Sequence, residues 1–299
     1  MERFSFSETR YINSLMDYHA KKKYSLRPQK SFKDPHNKLS IYEFLDTEGR
    51  LSFVRNETHE AYYLIKDTEG NESSLSFDFT TIQPRSLEFS NAWLVPFSYD
   101  QNNSFSEGDF SLNMKPNSLY NDLDFKYKTK VATKDLVSDI HCVHSRETPV
   151  HSAFSIGLNL QGVKENLRSK TQICSVDSRG TISCLSSTWQ GDTLIAKSRS
   201  FGDFSAVIDT VAPILKTKSF SYDLSEAQNM SFTVEDNLSG ISTYNAFVDG
   251  VWVLLEYDPK NKRLTHFFDG AITSGKHLLE LVVVDSVKNE KRLVLEFLR

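Results

Sequence analysis

Cysteine is scarce: three residues in 299, too few for a disulfide framework. The 8 prolines and 12 glycines exclude a collagen-like or low-complexity chain. No apolar run approaches the ~20 residues that a membrane-spanning helix needs. The opening MERFSFSETRY has no uninterrupted apolar stretch. No signal peptide is expected there, and the chain as written is not expected to be exported by itself. The net charge of −4 is spread along the sequence, without the basic patch that nucleic acid or an anionic membrane attracts. There is no Gly-rich phosphate loop, and no serine sits in a G-x-S-x-G elbow.

The composition that remains suits a folded, strand-rich protein. Apolar residues make up 39% and charged residues 25%, and the 21 Phe and 12 Tyr favour strands over helices. The C-terminal third carries the clearest pattern. Asp249-Gly250 separates the runs Ser242–Val248 and Val251–Tyr257, and Asp-Gly is a two-residue hairpin signal. Asp258-Pro259-Lys260-Asn261 makes the next turn. With Ile214–Phe220, Met230–Glu235, Arg263–Phe268, His277–Val284 and Arg292–Leu298, the pattern predicts seven strands from 210 to 299. Seven short strands cut by turns predict an immunoglobulin-like β-sandwich.

The rest divides into two more modules. Ser5 to Lys23 predicts one short amphipathic helix, with Ser5 and Glu8 as a capping box and Tyr11, Ile12, Leu15, Met16 and His19 at helical spacing. The basic KKKYSLRPQK after it reads as a solvated loop. Leu39–Phe44, Leu51–Arg55, Ala61–Lys66 and Ser73–Phe79 read as four strands, too few to close a sandwich. The module 1–85 is therefore expected to have lost its beginning and to end in a linker, Thr80–Arg85. The middle module, 86–209, has strands at Phe110–Met114, Phe125–Lys128, His151–Leu158, Thr171–Val176, Thr181–Leu185, Thr193–Arg199 and Phe204–Ile208. Asp209-Thr210-Val211-Ala212-Pro213 connects it to the last module. The expected fold is all-β: tandem immunoglobulin-like β-sandwich modules with a short N-terminal helix.

Candidate chemistry is thin. His141, His144 and His151 form the only histidine cluster. Zinc needs three or four N, O or S ligands converging at about 2.0–2.3 Å. In an extended segment His141 and His144 point to opposite faces, so ordinary hydrogen-bonded histidines are expected instead. Asp236, Asn237 and Asp285 fall at strand ends, where loop oxygens can take calcium, though turn roles explain them more simply. Trp93, Trp189 and Trp252 could stack on sugar rings, with core or edge packing as the competing explanation. Pairing Val176 with Ile182 would set Cys174 opposite Cys184. A disulfide is feasible there, and two buried free thiols are the simpler expectation. Cys142 has no obvious mate.

Several stretches together carry a resemblance: ERFSFSETRYINSLMDY, NKLSIYEF, IKDTEGNESSLSF, TPVHSAFSI and VDGVWVLLEYDPKNKRLTHFFD. In this order, over nearly the whole chain, they resemble the long C-terminal region of bacterial lysostaphin-type zinc metallopeptidases, which cut peptidoglycan cross-bridges. That family's zinc ligands, two histidines and an aspartate, come from H-x-x-x-D and H-x-H motifs in a preceding catalytic domain. This chain has no H-x-H pair, so no catalytic or metal-ligating residue carries over. The resemblance implies a non-catalytic C-terminal piece of an envelope protein, periplasmic or cell-wall in setting. Its expected partners are peptidoglycan or an upstream peptidase domain, and it implies no cofactor. The alternative is a stand-alone module that binds cell-wall glycan or a protein, with Trp189 and Trp252 as its candidate binding residues. A hydrolase using the His141–His151 region is the third class.

Overall fold

A computed structural model describes residues 8–42, 44–54, 56–82, 94–132 and 135–299. The fold is all-β, and it divides into two compact units, 1–94 and 95–299. Among the described residues, no helix is long and apolar enough to cross a membrane.

In the first unit the expected single helix is broken. A 3-10 turn at Glu8–Tyr11 leads into α1 (Ile12–Leu15), and α2 (Tyr18–Tyr24) follows. Met16 takes an extended conformation between them, and Asp17 restarts the helix by accepting a hydrogen bond from Ala20 N at 3.0 Å. Ser5, the other half of the expected capping box, lies outside the described residues.

Only two of the four expected strands form. β1 (Thr58–Lys66) and β2 (Glu72–Thr80) pair as a hairpin around Asp67, which accepts hydrogen bonds from the amides of Glu69 and Asn71. Leu39–Phe44 and Leu51–Arg55 are not strands, and Arg55 and Glu43 are outside the described residues. The reason is local. Asn37 Oδ1 accepts from Leu39 N and turns the chain there, while Leu39 is buried and Phe44 is almost wholly exposed. An apolar run without a ladder partner stays a loop. The linker expected at Thr80–Arg85 is described only to Ile82.

The second unit opens with a body of eleven strands. These are β3 (Leu94–Phe97), β4 (Asn103–Glu107), β5 (Phe110–Met114), β6 (Leu123–Lys130), β7 (Ile140–Val143) and β8 (Phe154–Asn159), then β9 (Thr171–Val176), β10 (Ile182–Cys184), β11 (Ser187–Gln190), β12 (Thr193–Ser198) and β13 (Gly202–Ile208). A short helix, α3 (Glu165–Arg168), joins β8 to β9. One sheet runs β10-β9-β13-β7-β6-β3, the other β11-β12-β8-β5-β4. Phe125, Val143, Ile173, Phe204 and Ala206 of the first meet Phe110, Leu112, Phe154, Ile156 and Leu194 of the second in one core. The first sheet is also covered on its other face by a smaller cluster of Leu136, Ile140, Cys142, Cys174, Val176 and Val207.

The C-terminal body has eight strands rather than the expected seven: β14 (Ile214–Ser219), β15 (Asn229–Glu235), β16 (Ile241–Val248), β17 (Val251–Val253), β18 (Glu256–Asp258), β19 (Arg263–Phe267), β20 (Lys276–Asp285) and β21 (Glu290–Leu298). The extra one arises because the run Val251–Tyr257 changes sheets. β17 pairs with β16 in the sheet β17-β16-β20-β21, and β18 pairs with β19 in the sheet β14-β15-β19-β18. Leu254 and Leu255 make the crossing, with Leu255 buried and Leu254 exposed.

Asp249 and Gly250 form the expected two-residue turn, with φ of 50° and 80° and Val248 opposite Val251. Asp249 also ties the turn to β20, accepting from Leu278 N at 2.8 Å and pairing with His277 Nδ1 at 2.7 Å. No atom lies within 4 Å of where a Gly250 side chain would begin, so substitution costs conformation rather than clash. Gly250→Val is expected to lower stability by about 1–3 kcal/mol. Thermal unfolding measures it, and an unchanged melting temperature would contradict the assignment.

Candidate functional site

The three histidines of the middle body each meet a side-chain hydroxyl. His141 lies on β7, fully enclosed, stacked on Phe110 at 5.0 Å and hydrogen-bonded through Nδ1 to the Tyr127 hydroxyl at 2.7 Å. His144 leaves the strand in the left-handed region at φ 51°, with Nε2 at 2.9 Å from Thr148 Oγ1 and its ring beside Phe125 and Phe201. His151 meets the Tyr120 hydroxyl at 3.3 Å. None of the three belongs to a group of metal-ligating atoms among the described residues.

Burial, with Lys126 adding to it, holds the His144 ring down at about 4 from its ordinary 6.5. Its folded value is therefore the lower one. Between these pH values the unfolded chain binds a proton that the native ring refuses, so stability falls as pH drops through the window. Burial also lowers the His141 ring from its ordinary value, against the pull of Asp109 and Asp139, so it contributes in the same direction. His144→Asn keeps a residue that tolerates positive φ. In chemical denaturation it should show a smaller loss of stability than the parent between pH 6.5 and 5. An equal loss would assign the proton uptake elsewhere.

Cys174 and Cys184 lie opposite each other in the β9–β10 ladder, as the register argument requires, and all three cysteines are free thiols. Their place differs from a simple core position: they pack in the cluster on the outer face of the six-stranded sheet, where Leu238 of the C-terminal body joins them. Burial pushes both thiols up to about 12, so neither is a nucleophile at neutral pH.

The tryptophans separate. Trp93 lies outside the described residues. Trp189 is occupied: its Nε1 donates to Arg168 O at 2.8 Å, and the Arg168 guanidinium stands over its ring at 4.7 Å. That cation, itself paired with Glu165 and Asp192, takes the place a sugar would need. Trp252 is different. It is 55% exposed, its Nε1 donates to Asn245 Oδ1 at 3.2 Å, and it lines a pocket of about 400 Å³. The pocket forms where the chain crosses between sheets, and Leu254, Glu256, His266, Phe267 and Asp269 also line it. His266 Nδ1 lies 2.9 Å from Leu254 O. A carbonyl only accepts, so Nδ1 carries the proton and Nε2 of the neutral ring is an acceptor. Nε2 is sealed from water and has no donor, on a residue only 5% exposed. An unmatched buried acceptor costs about 1–3 kcal/mol.

The joint between the middle and C-terminal bodies is polar and buried. Lys170 Nζ donates to Val287 O at 2.8 Å and to Asn289 Oδ1 at 2.7 Å. Asn289 Nδ2 donates to Asp285 Oδ2 at 2.7 Å and to Asp209 O at 3.0 Å. Asp209, Asp236 and Asp285 place one carboxylate oxygen each within 4.8 Å of one another. A hard cation would take oxygen ligands of this kind. Most of their lone pairs are already committed: Asp209 accepts from Val211 N and Ser239 N, Asp285 from Val287 N and Asn289 N, and Asp236 Oδ2 from Leu238 N and Gly240 N. Burial, then the neighbouring Asp209 and Asp285, raises the Asp236 carboxyl above its ordinary range. Asn237, grouped with these residues on sequence, is exposed and outside the cluster. Asp209 gave no sequence signal beyond its place in a connector, because the three aspartates come from three separate turns.

Residues 95–209, fewer than half of the chain, match the family model of a Zu5-like domain. No curated protein matches. Among solved structures, one concerned with host cell surface retention of a 1.5-MDa bacterial ice-binding adhesin is similar at 11% identity over 82% of this chain and 74% of that one, with a TM-score of 0.21. The extracellular domain assigned to a one-component system of B. thetaiotaomicron gives 12% identity over 79% of this chain and 30% of that one, with a TM-score of 0.20. A beta-1,2-glucanase from Parabacteroides distasonis gives 10% identity over 70% of this chain and 38% of that one, with a TM-score of 0.19. Likenesses this faint carry nothing about fold or function.

Proposed function

We propose that this chain is the non-catalytic accessory region of a lysostaphin-type cell-wall metallopeptidase, positioning or tethering the peptidase domain at peptidoglycan. The observation that carries the reading is the joint. Lys170, Asp209, Asp285 and Asn289 hold two all-β bodies together through buried hydrogen bonds rather than a free linker. A spacer that sets the distance between an enzyme and a wall needs a stiff connection of this kind, since a flexible one spreads the enzyme over many positions. The second reading is a stand-alone binder of cell-wall glycan, and the open pocket at Trp252 favours it.

The test joins this chain to a peptidase domain carrying H-x-x-x-D and H-x-H motifs, encoded directly upstream. Release of fragments from intact sacculi should rise several-fold over the peptidase alone, while cleavage of a soluble cross-bridge peptide stays the same. This chain alone should hold no stoichiometric zinc and release nothing. Equal cleavage of sacculi with and without the chain, or clearance by the chain alone, would overturn the proposal.

A further inference from the structure

We infer that the Trp252 pocket is a binding site for a neutral pyranose ring of a glycan, with the sugar stacked on the indole and its hydroxyls donated to the carboxylates of Glu256 and Asp269. Three features of the pocket select this chemistry. The first is an apolar platform. Trp252 is 55% exposed and Phe267 53% exposed, and the indole is anchored at its nitrogen by Asn245. The C–H face of a pyranose packs on such a ring, and an aromatic surface anchored at its polar end loses little freedom when it binds.

The second is a set of acceptors. Glu256 and Asp269 stand on the same pocket lining, and both are exposed carboxylates that accept hydroxyl hydrogens. The third is charge. The lining contains these two carboxylates and no lysine or arginine, so it repels anionic sugars. The volume of about 400 Å³ falls in the range of small-ligand sites and is large enough for one or two rings.

The chain crossing builds the site. β17 and β18 belong to different sheets, so Trp252 comes from one, and Glu256, His266 and Phe267 from the other. The pocket lies within the C-terminal body and draws nothing from the joint, so it deepens the positioning reading by naming a ligand without depending on it.

Isothermal titration of the full chain with tetra-N-acetylchitotetraose tests the inference. The expected result is saturable binding that weakens at least tenfold in Trp252→Ala and several-fold in Glu256→Ala. Trp189→Ala should bind like the parent, because Arg168 covers that ring. Trp252 and Glu256 are both exposed, so both variants should keep the parent's melting temperature. No heat at millimolar oligosaccharide, or equal affinity in Trp252→Ala, overturns the inference. Binding confined to an amine-bearing chitosan oligomer overturns it as well, since that would make the pocket a cation site. Any of these failures leaves the sacculus experiment free to succeed.

Discussion

Phe125→Ala is expected to lower the unfolding free energy of the middle body by about 3–5 kcal/mol, the usual cost of emptying a large aromatic site. Phe125 is fully enclosed on β6. It lies parallel to Phe97 at 4.4 Å with an interplanar angle of 2°, and Phe105, Phe201 and His144 surround the pair. Truncation leaves a cavity that these rings, fixed on both sheets, cannot collapse to fill. Urea denaturation should show a lower midpoint with an unchanged slope, since the surface exposed on unfolding stays nearly the same. Phe125→Leu keeps most of the volume and should cost well under half as much. Adding Phe97→Ala should cost less in the double variant than the sum of the singles, because the two rings share one contact. Additive losses would show that the stack contributes nothing beyond separate burial.

The C-terminal body was legible because its strands are half-buried. In β20, Leu279, Leu281, Val283 and Asp285 are buried while their neighbours are partly exposed, and that alternation is visible in the sequence. The Asp-Gly turn then set the register. The strand change after Val253 was not legible, because Val251–Leu255 is one continuous apolar run across the crossing and period alone does not say which sheet it joins.

β7 was missed for the opposite reason. All four of its residues are buried, with the main core on one face and the Cys174 cluster on the other. A strand covered on both faces loses its alternation, and His141 and Cys142 within it drew attention as chemistry instead. In the first unit the error ran the other way. Leu39–Phe44 and Leu51–Arg55 have strand composition, but a strand also needs a partner, and composition does not supply one. Trp252 was named from the sequence as a candidate, while its neighbours in the pocket were not. Glu256, His266 and Asp269 become neighbours of that indole only through the sheet change, which local spacing does not reveal.

Asn289→Ala should cost about 3–5 kcal/mol, as large an effect as emptying the core, although it removes only a small amide. Asn289 is 9% exposed, and its side chain serves both bodies. Its Oδ1 accepts from Lys170, and its Nδ2 donates to Asp285 Oδ2 and Asp209 O. Alanine leaves Asp285 Oδ2 buried without that donor and the Lys170 ammonium held by Val287 O alone of its two acceptors at the joint. Charged groups stripped of partners lose more than neutral ones. The damage concentrates at the joint, because the core of each body lies elsewhere. Calorimetry should therefore change in shape as well as position. The parent is expected to unfold residues 95–299 in one transition, and Asn289→Ala in two, as the bodies lose the coupling between them. Amide exchange should quicken at Val211 and Ser239, whose N–H groups donate to Asp209 at the joint. Asn289→Asp keeps an acceptor for Lys170 but places a fourth carboxylate beside Asp209 and Asp285, so it should be no more stable than alanine at neutral pH and should recover as pH falls. If Asn289→Ala melts in one transition at the parent's temperature, the joint is not what couples the two bodies, and the positioning role loses the observation that carries it.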